Sequence, residues 1–156
     1  MGPVITLYDI TNTTVVTTWD VGVVQAQIPS ASLTINIWNN KGQSAAVSDL
    51  KECNVTVLDS SGDTANDDVA RDKWIQINEP SVDGNTTTWT QIGGSTTKDI
   101  KANSGVSGNT ISGAANDGNI ISSPSNVCTV NFRVVAPINS TPGNKTFKIR
   151  LIGYYT

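Results

Sequence analysis

The chain has 156 residues and a mass of 16.5 kDa, which suits one domain that can bury its own core. Its net charge is -3, with 13 acidic and 10 basic residues, and a nucleic-acid partner is not expected because such binding depends on clustered Lys and Arg. There is no histidine, which excludes Ser-His-Asp and Cys-His nucleophile systems and histidine-based metal centres. Only 15% of the residues are charged, and the abundant Thr, Ser, Asn and Gly favour strands and turns.

The remaining chemistry of the chain predicts no enzyme. The only two glutamates, Glu52 and Glu79, lie on a predicted turn and beside Pro80, which is a poor setting for a pair of catalytic carboxylates. No glycine-rich loop leads into a helix, so a nucleotide fingerprint is missing. We therefore expect no catalytic residues, no cofactor and no metal ion.

Two observations bear on location. No apolar run approaches the roughly 20 residues that cross a bilayer, so no membrane partner is expected. The first nine residues lack the basic and apolar regions of a signal peptide, and the expectation is a protein that stays in a cytoplasm.

The first half of the chain predicts four strands. Residues 4–10 form the first and residues 19–24 the second, where Gly22 suggests a bulge. Apolar and polar residues alternate over residues 33–38 and 53–58, the period of a half-buried strand. Between these two strands, residues 48–52 fit one helical turn that Ser48 would cap.

The loop after residue 58 carries four aspartates within ten residues, namely Asp59, Asp63, Asp67 and Asp68. A calcium site is the sharper interpretation, because hard cations take several carboxylate oxygens. The spacing does not match an EF-hand loop, and a solvated acidic loop is the expectation.

The second half of the chain predicts two hairpins separated by a long excursion. Residues 73–77 and 88–92 form the first hairpin around Pro80, and residues 101–126 form a small, polar excursion rich in Gly, Ser and Asn. An excursion of this length inside a domain is usually functional or disordered. Alternating strands at residues 128–134 and 147–151, joined by a Pro- and Gly-containing turn, predict an antiparallel hairpin that closes the fold.

The predicted fold is therefore all-β, a single antiparallel β-sandwich over residues 1–156 with about 8–9 strands and immunoglobulin-like, Greek-key topology. Cys53 and Cys128 are in phase with inward residues of their strands, which predicts two buried cysteines. They are either free core residues or a disulfide between the sheets. The four Trp residues leave a sugar-binding surface open as an alternative, since Trp38 and Trp89 are out of phase with the apolar faces of their strands.

Several motifs occur in an order that resembles a known family. They are Trp-Asp-Val-Gly at 19–22, Ile-Trp-Asn-Asn-Lys-Gly at 37–42, Val-Ser-Asp-Leu at 47–50, Ile-Gly-Gly at 92–94, Ile-Ser-Gly-Ala-Ala-Asn-Asp-Gly at 111–118 and Pro-Gly-Asn-Lys-Thr-Phe-Lys-Ile-Arg at 142–150. This order is similar to that in small immunoglobulin-like structural proteins of tailed phages and prophages of Gram-positive bacteria.

The resemblance implies a virion structural protein that assembles in the host cytoplasm. The first expectation is a capsid decoration protein that stabilises the head, and the alternatives are a tail or neck accessory protein and a carbohydrate-binding or adhesin module on a cell surface. Its partners would be capsid or other virion proteins, and a homo-oligomer around a capsid symmetry axis is a further alternative.

Three segments are predicted to contact such a partner: the N-terminal strand, the glycine-rich loop and the tyrosine-rich end. Their contact residues are Val4, Ile5, Leu7, Tyr8, Gly113, Ala114, Asn116, Asp117, Gly118, Tyr154 and Tyr155.

Overall fold

The computed structural model describes residues 1–63 and 66–156 and has eight strands in that part of the chain. The strands are β1 (Ile5–Tyr8), β2 (Leu33–Asn39), β3 (Lys51–Asp59), β4 (Ile75–Asn78), β5 (Thr90–Ile92), β6 (Lys98–Asp99), β7 (Val127–Val134) and β8 (Phe147–Tyr154). Two α-helices of one turn each, α1 (Asp68–Arg71) and α2 (Pro80–Asp83), and a 3-10 turn at Pro124–Asn126 complete the described structure.

The strands form two antiparallel sheets. The larger has the order β1-β2-β7-β4-β5 and the smaller the order β6-β3-β8. The predictions of an all-β sandwich and of a hairpin between β4 and β5 are confirmed. The immunoglobulin-like, Greek-key connectivity stays a prediction.

The core lies between the sheets and follows the alternation of the central strands. Cys53, Val55 and Val57 of β3 have no exposed surface, and neither do Cys128 and Val130 of β7. Because successive strand residues point to opposite faces, every second residue of each strand enters this core. Both cysteines are free and buried.

The predicted terminal hairpin is wrong. β7 lies between β2 and β4 in the larger sheet, whereas β8 pairs with β3 in the smaller one. The alternation of apolar and polar residues in a strand indicates only that one of its faces is buried. Two strands show the same alternation whether they pair within one sheet or pack against each other from two sheets. Residues 135–146 cross from one sheet to the other, which lie about 10 Å apart in a sandwich.

Two further predictions are wrong in the first half. Residues 19–24 are not a strand but an irregular strap, in which the side chains of Trp19, Val21 and Val24 pack against the core. Residues 48–52 are not a helical turn, because β3 already begins at Lys51.

The sequence pattern missed both short helices. A carboxylate accepts backbone N–H groups at the start of each: Asp67 caps α1, and Glu79 caps α2 ahead of Pro80. In the described residues, neither helix has the length or the apolar character needed to cross a membrane.

Candidate interaction surface

The three segments predicted to contact a partner meet at one end of the sandwich. The carbonyl oxygen of Met1 accepts a hydrogen bond from the backbone N–H of Ser48 at 3.0 Å. The ring of Tyr155 lies so close to Gly2 that a Cβ added there would be 3.1 Å from it. The backbone of residues 47–48 in turn lies against Gly113. We refer to residues 1–4, 39–50, 111–119 and 153–155 as the asparagine end.

Two buried asparagines at the end of β2 hold this surface together. Asn39 Nδ2 donates to the carbonyl oxygens of Ser48 at 3.0 Å and Ile111 at 3.2 Å, while its Oδ1 accepts from the N–H of Val4 at 2.9 Å. Asn40 Nδ2 donates to three carbonyl oxygens, those of residues 45, 113 and 114. Asn39 therefore ties the N-terminal segment to residues 48 and 111, and Asn40 ties two loops together.

Two more asparagines fasten the glycine-rich loop from its other side. Asn126 is buried, and its Nδ2 donates to the carbonyl oxygens of Ser112 at 3.0 Å and Ala114 at 2.8 Å. Asn116 accepts from the N–H of Gly42 at 2.8 Å and donates to the carbonyl oxygen of Asn40 at 2.7 Å. Because buried amide groups that are fully hydrogen-bonded rigidify the backbone around them, the loop is held in one conformation.

The loop residues predicted as contacts divide into structural and exposed groups. Gly113 is buried, and the turn at Asp117 is closed by hydrogen bonds to Ser122 and Ser123. These hydrogen bonds, the one from Ser122 first, lower the pKa of Asp117 below its usual range. Ala114 is exposed. Ala115 is exposed as well, so the loop presents two small apolar side chains and an acidic turn to solvent.

The N-terminal contact residues divide in the same way. Ile5 and Leu7 are half-buried and pack against the core, and the Tyr8 ring lies beneath the ammonium group of Lys41 at 3.5 Å from the ring centroid. Val4 has 44% of its surface exposed. Of this strand, Val4 is therefore the apolar side chain that the asparagine end offers to a partner.

The C-terminal tyrosines are exposed aromatic groups of this end. Tyr154 is 45% exposed and Tyr155 is 57% exposed. Tyrosine combines a large rigid contact area with few rotatable bonds, which makes it common at protein interfaces. These rings form the exposed apolar part of the asparagine end together with Met1, Val4, Ala45, Ala46, Ala114 and Ala115.

The tryptophans do not form an exposed platform. Trp38 and Trp74 are buried, Trp19 packs between the two sheets, and the half-buried ring of Trp89 lies under the guanidinium group of Arg133 at 4.2 Å. A sugar needs the open face of a ring for stacking. The out-of-phase positions of Trp38 and Trp89 are explained by covering loops and by a cation–π contact.

The acidic loop uses its carboxylates within the protein. Asp59 is 4% exposed and accepts hydrogen bonds from the turn that follows it, Asp67 caps α1, and Asp68 pairs with Lys145 at 2.8 Å. The described part of the chain contains no group of three or more His, Cys, Asp or Glu residues that could hold a metal ion. Residues 64–65 of this loop lie outside the described residues.

One buried ionisable cluster lies in the core, away from the asparagine end. Glu79 has no exposed surface, and its two carboxylate oxygens accept the N–H groups of Ser81 at 3.2 Å and Val82 at 2.6 Å. Burial raises the pKa of Glu79, and the Cys128 thiol lies 3.7 Å from its Oε1 atom. Burial also raises the pKa of Cys53 to about 11, so this thiol is a poor nucleophile.

The sequence missed the asparagines that build this surface. Asparagine is common in turns, and a doublet directly after a strand, as at residues 39–40, is typical of a turn. Only the assembled sandwich brings the carbonyl groups of three separate segments to these side chains. No known protein family matches this chain, and no curated protein matches it either.

Proposed function

We propose that this protein is a non-enzymatic virion structural protein, in the first instance a capsid decoration protein that binds the assembled head through the asparagine end. The observation that carries the proposal is the convergence of the three predicted contact segments at one end of the fold. The ordered motifs that resemble phage structural proteins support the same assignment, and a tail or neck accessory protein is the alternative.

The mechanism is passive binding by a surface that is already in place. The amide groups of Asn39, Asn40, Asn116 and Asn126 hold the loops before any partner arrives. A pre-organised surface loses little conformational entropy on association, so more of the contact energy appears as affinity. A protein that binds only the assembled particle then stabilises that particle by mass action.

The test is co-sedimentation with undecorated heads assembled from the capsid protein encoded beside this gene. We expect the wild-type protein to pellet with the heads. The double variant Tyr154→Asp/Tyr155→Asp should bind at least about tenfold more weakly, because it places two charges where aromatic anchors would be desolvated. Val23→Asp/Ile138→Asp is the matched control, since it adds the same two charges at residues that are 96% and 67% exposed and lie outside the asparagine end.

The outcomes separate the alternatives. Wild-type protein that stays in the supernatant with heads but pellets with tails favours the tail or neck protein. A gene with no capsid or tail genes beside it, or equal loss of binding in the tyrosine variant and the matched control, contradicts the proposal.

A further inference from the structure

The smaller sheet ends in a long strand with one unpaired side. β8 has eight residues and pairs with β3, and no strand of the described ranges 1–63 and 66–156 pairs with its other side. The other three edge strands are shorter, with four residues in β1, three in β5 and two in β6. A long edge strand presents a row of backbone N–H and C=O groups that a further strand can bind.

The inward side chains of β8 are incompletely covered. Ile149 and Leu151 lie opposite Val57 and Val55 of β3, so all four point into the core. The two valines have no exposed surface, whereas Ile149 and Leu151 are only half-buried. The core side chains of β3 are therefore fully covered, whereas those of β8 are partly exposed to solvent.

A groove runs along this open side of the sandwich. It has a volume of about 380 Å³ and lies between Ile149 of β8, Leu7 of β1 and Leu33 of β2. Trp19 of the strap fills the end near Phe147, with the two ring centroids 5.8 Å apart. Val16, Thr17 and Thr18 also line the groove, which lies beside the first part of β8, up to Ile149.

The outward face of β8 carries two positive charges, at Lys148 and Arg150, which are followed by Ile152 and Tyr154. Lys148 and Arg150 are exposed, and neither forms an ion pair or hydrogen bond within the described part of the chain. They lie opposite Leu58 and Thr56 of β3, which bring no compensating charge. A strand added beside β8 would place its own outward side chains next to these two cations.

We propose that the free edge of β8 binds an extended segment of a partner protein, in which apolar side chains alternate with acidic ones. The apolar side chains enter the groove beside Leu7 and Ile149. The acidic side chains lie on the outer face beside Lys148 and Arg150. The bound segment extends the smaller sheet from three strands to four.

Charge also disfavours a second copy of this chain as the occupant through β8 itself. In a symmetric antiparallel pair of strands, residues on the same face oppose each other. When the two copies of β8 pair along most of their length, Lys148 or Arg150 of one copy lies opposite or diagonal to Arg150 of the other. Like charges in these positions are destabilising, whereas an acidic strand from another protein neutralises them.

This inference concerns the free edge of β8, which overlaps the asparagine end only at Gly153 and Tyr154, and it does not require a virion. Its test uses synthetic peptides and needs no particle. Failure of the head-binding experiment therefore leaves it intact, and its own failure leaves the asparagine end untouched.

The first experiment uses a seven-residue peptide in which valine alternates with aspartate. We expect amide hydrogen exchange of β8 to slow when the peptide is present at millimolar concentration. Two N-methylated forms of the peptide are matched controls. One carries N-methyl groups on the backbone nitrogens of its odd-numbered residues and the other on those of its even-numbered residues, so that these nitrogens cannot donate hydrogen bonds. Because a strand donates to one neighbour through every second N–H group, only one of the two should lose binding.

The second experiment tests the role of charge by reversing the charge on the protein and then on the peptide. Arg150→Glu should weaken the aspartate peptide about fivefold, because a favourable cross-strand pair becomes an unfavourable one. The same variant should strengthen a peptide in which lysine replaces aspartate. Arg71→Glu is the matched control, since Arg71 is exposed on α1 and makes the same change in net charge.

Four results overturn the proposal: no slowing of exchange in β8 with the aspartate peptide, equal binding of the two N-methylated forms, equal affinities in Arg150→Glu and Arg71→Glu, or concentration-dependent self-association that protects β8 without any peptide.

Discussion

Gly113 leaves no room for a side chain, and Gly113→Ala is therefore predicted to destabilise the fold. The Gly113 nitrogen donates to Asp49 Oδ1 and its carbonyl oxygen accepts from the N–H of Val47, both at 2.8 Å. A Cβ at this position would lie 2.4 Å from the carbonyl oxygen of Val47 and 2.5 Å from that of Ser48. A carbon and a carbonyl oxygen approach to about 3.3 Å, so the two backbones must separate by about 0.8 Å.

The magnitude follows from what this separation breaks. A bond of 2.8 Å that lengthens by about 0.8 Å no longer meets hydrogen-bond geometry. Leaving buried backbone groups unpaired costs roughly 1–3 kcal/mol, and the overpacking adds roughly 1–3 kcal/mol. We expect a loss of about 3–5 kcal/mol in the free energy of unfolding, or about 6–20 °C in Tm for a chain of this size.

The assay is urea unfolding followed by tryptophan fluorescence. Gly108→Ala is the matched control, because Gly108 has a φ of 64° but no atom within 4 Å of the added Cβ. That variant should lose only the roughly 1–2 kcal/mol of left-handed backbone strain. If Gly113→Ala is no less stable than Gly108→Ala, then residues 47–48 yield easily and the asparagine end is not rigid.

Three further predictions concern the buried polar groups. Burial raises the pKa of Glu79 above its ordinary 4.5. Above pH 4.5 the native state therefore keeps a proton that the unfolded chain has lost. The stability contributed by this group falls as the pH rises from 4.5 to the folded pKa. Glu79→Gln cannot titrate, so its urea midpoint relative to wild type should rise across that window, and a constant difference would contradict the assignment. Neither Cys53 nor Cys128 should react with a thiol reagent in the native protein, and both should react in urea; rapid native labelling of either would show that the core opens. Trp38→Phe removes the 2.6 Å hydrogen bond from Nε1 to Asn12 Oδ1 and should cost about 1–2 kcal/mol in urea unfolding, whereas an unchanged midpoint would show that this bond adds nothing.

The elements that sequence predicted best are those whose neighbours in the chain already carry the signal. The alternation of Cys53, Val55 and Val57 marks one face of β3 as buried, and the structure has all three without exposed surface. The hairpin of β4 and β5 was predictable because strands that follow one another in the chain usually pair, although the same rule fails for β7 and β8. The prediction of a strand at residues 19–24 failed because its apolar residues do not alternate in the fold: Val24 packs against the core with Trp19 and Val21, whereas Val23 is 96% exposed.

The candidate site likewise contains residues that were predictable from the sequence and residues that were not. The exposed tyrosines and Val4 were predictable as apolar residues in terminal segments. Gly113 was predicted as a contact residue, but it is buried against the backbone of residues 47–48. The four asparagines that close this end could not be distinguished from turn residues. Their function depends on carbonyl groups up to 87 positions away in the chain.

The sequence by itself determined the all-β class, most strand positions, the burial of both cysteines and the absence of histidine chemistry, because period-2 patterning and composition are local properties. Only the tertiary structure decided that β7 and β8 lie in different sheets, that β8 has a free edge, and that three distant segments meet at the asparagine end. The reason is physical: a strand's pattern states which of its faces is buried, while its hydrogen-bonding edges carry no side-chain signal of which strand, if any, will pair with them.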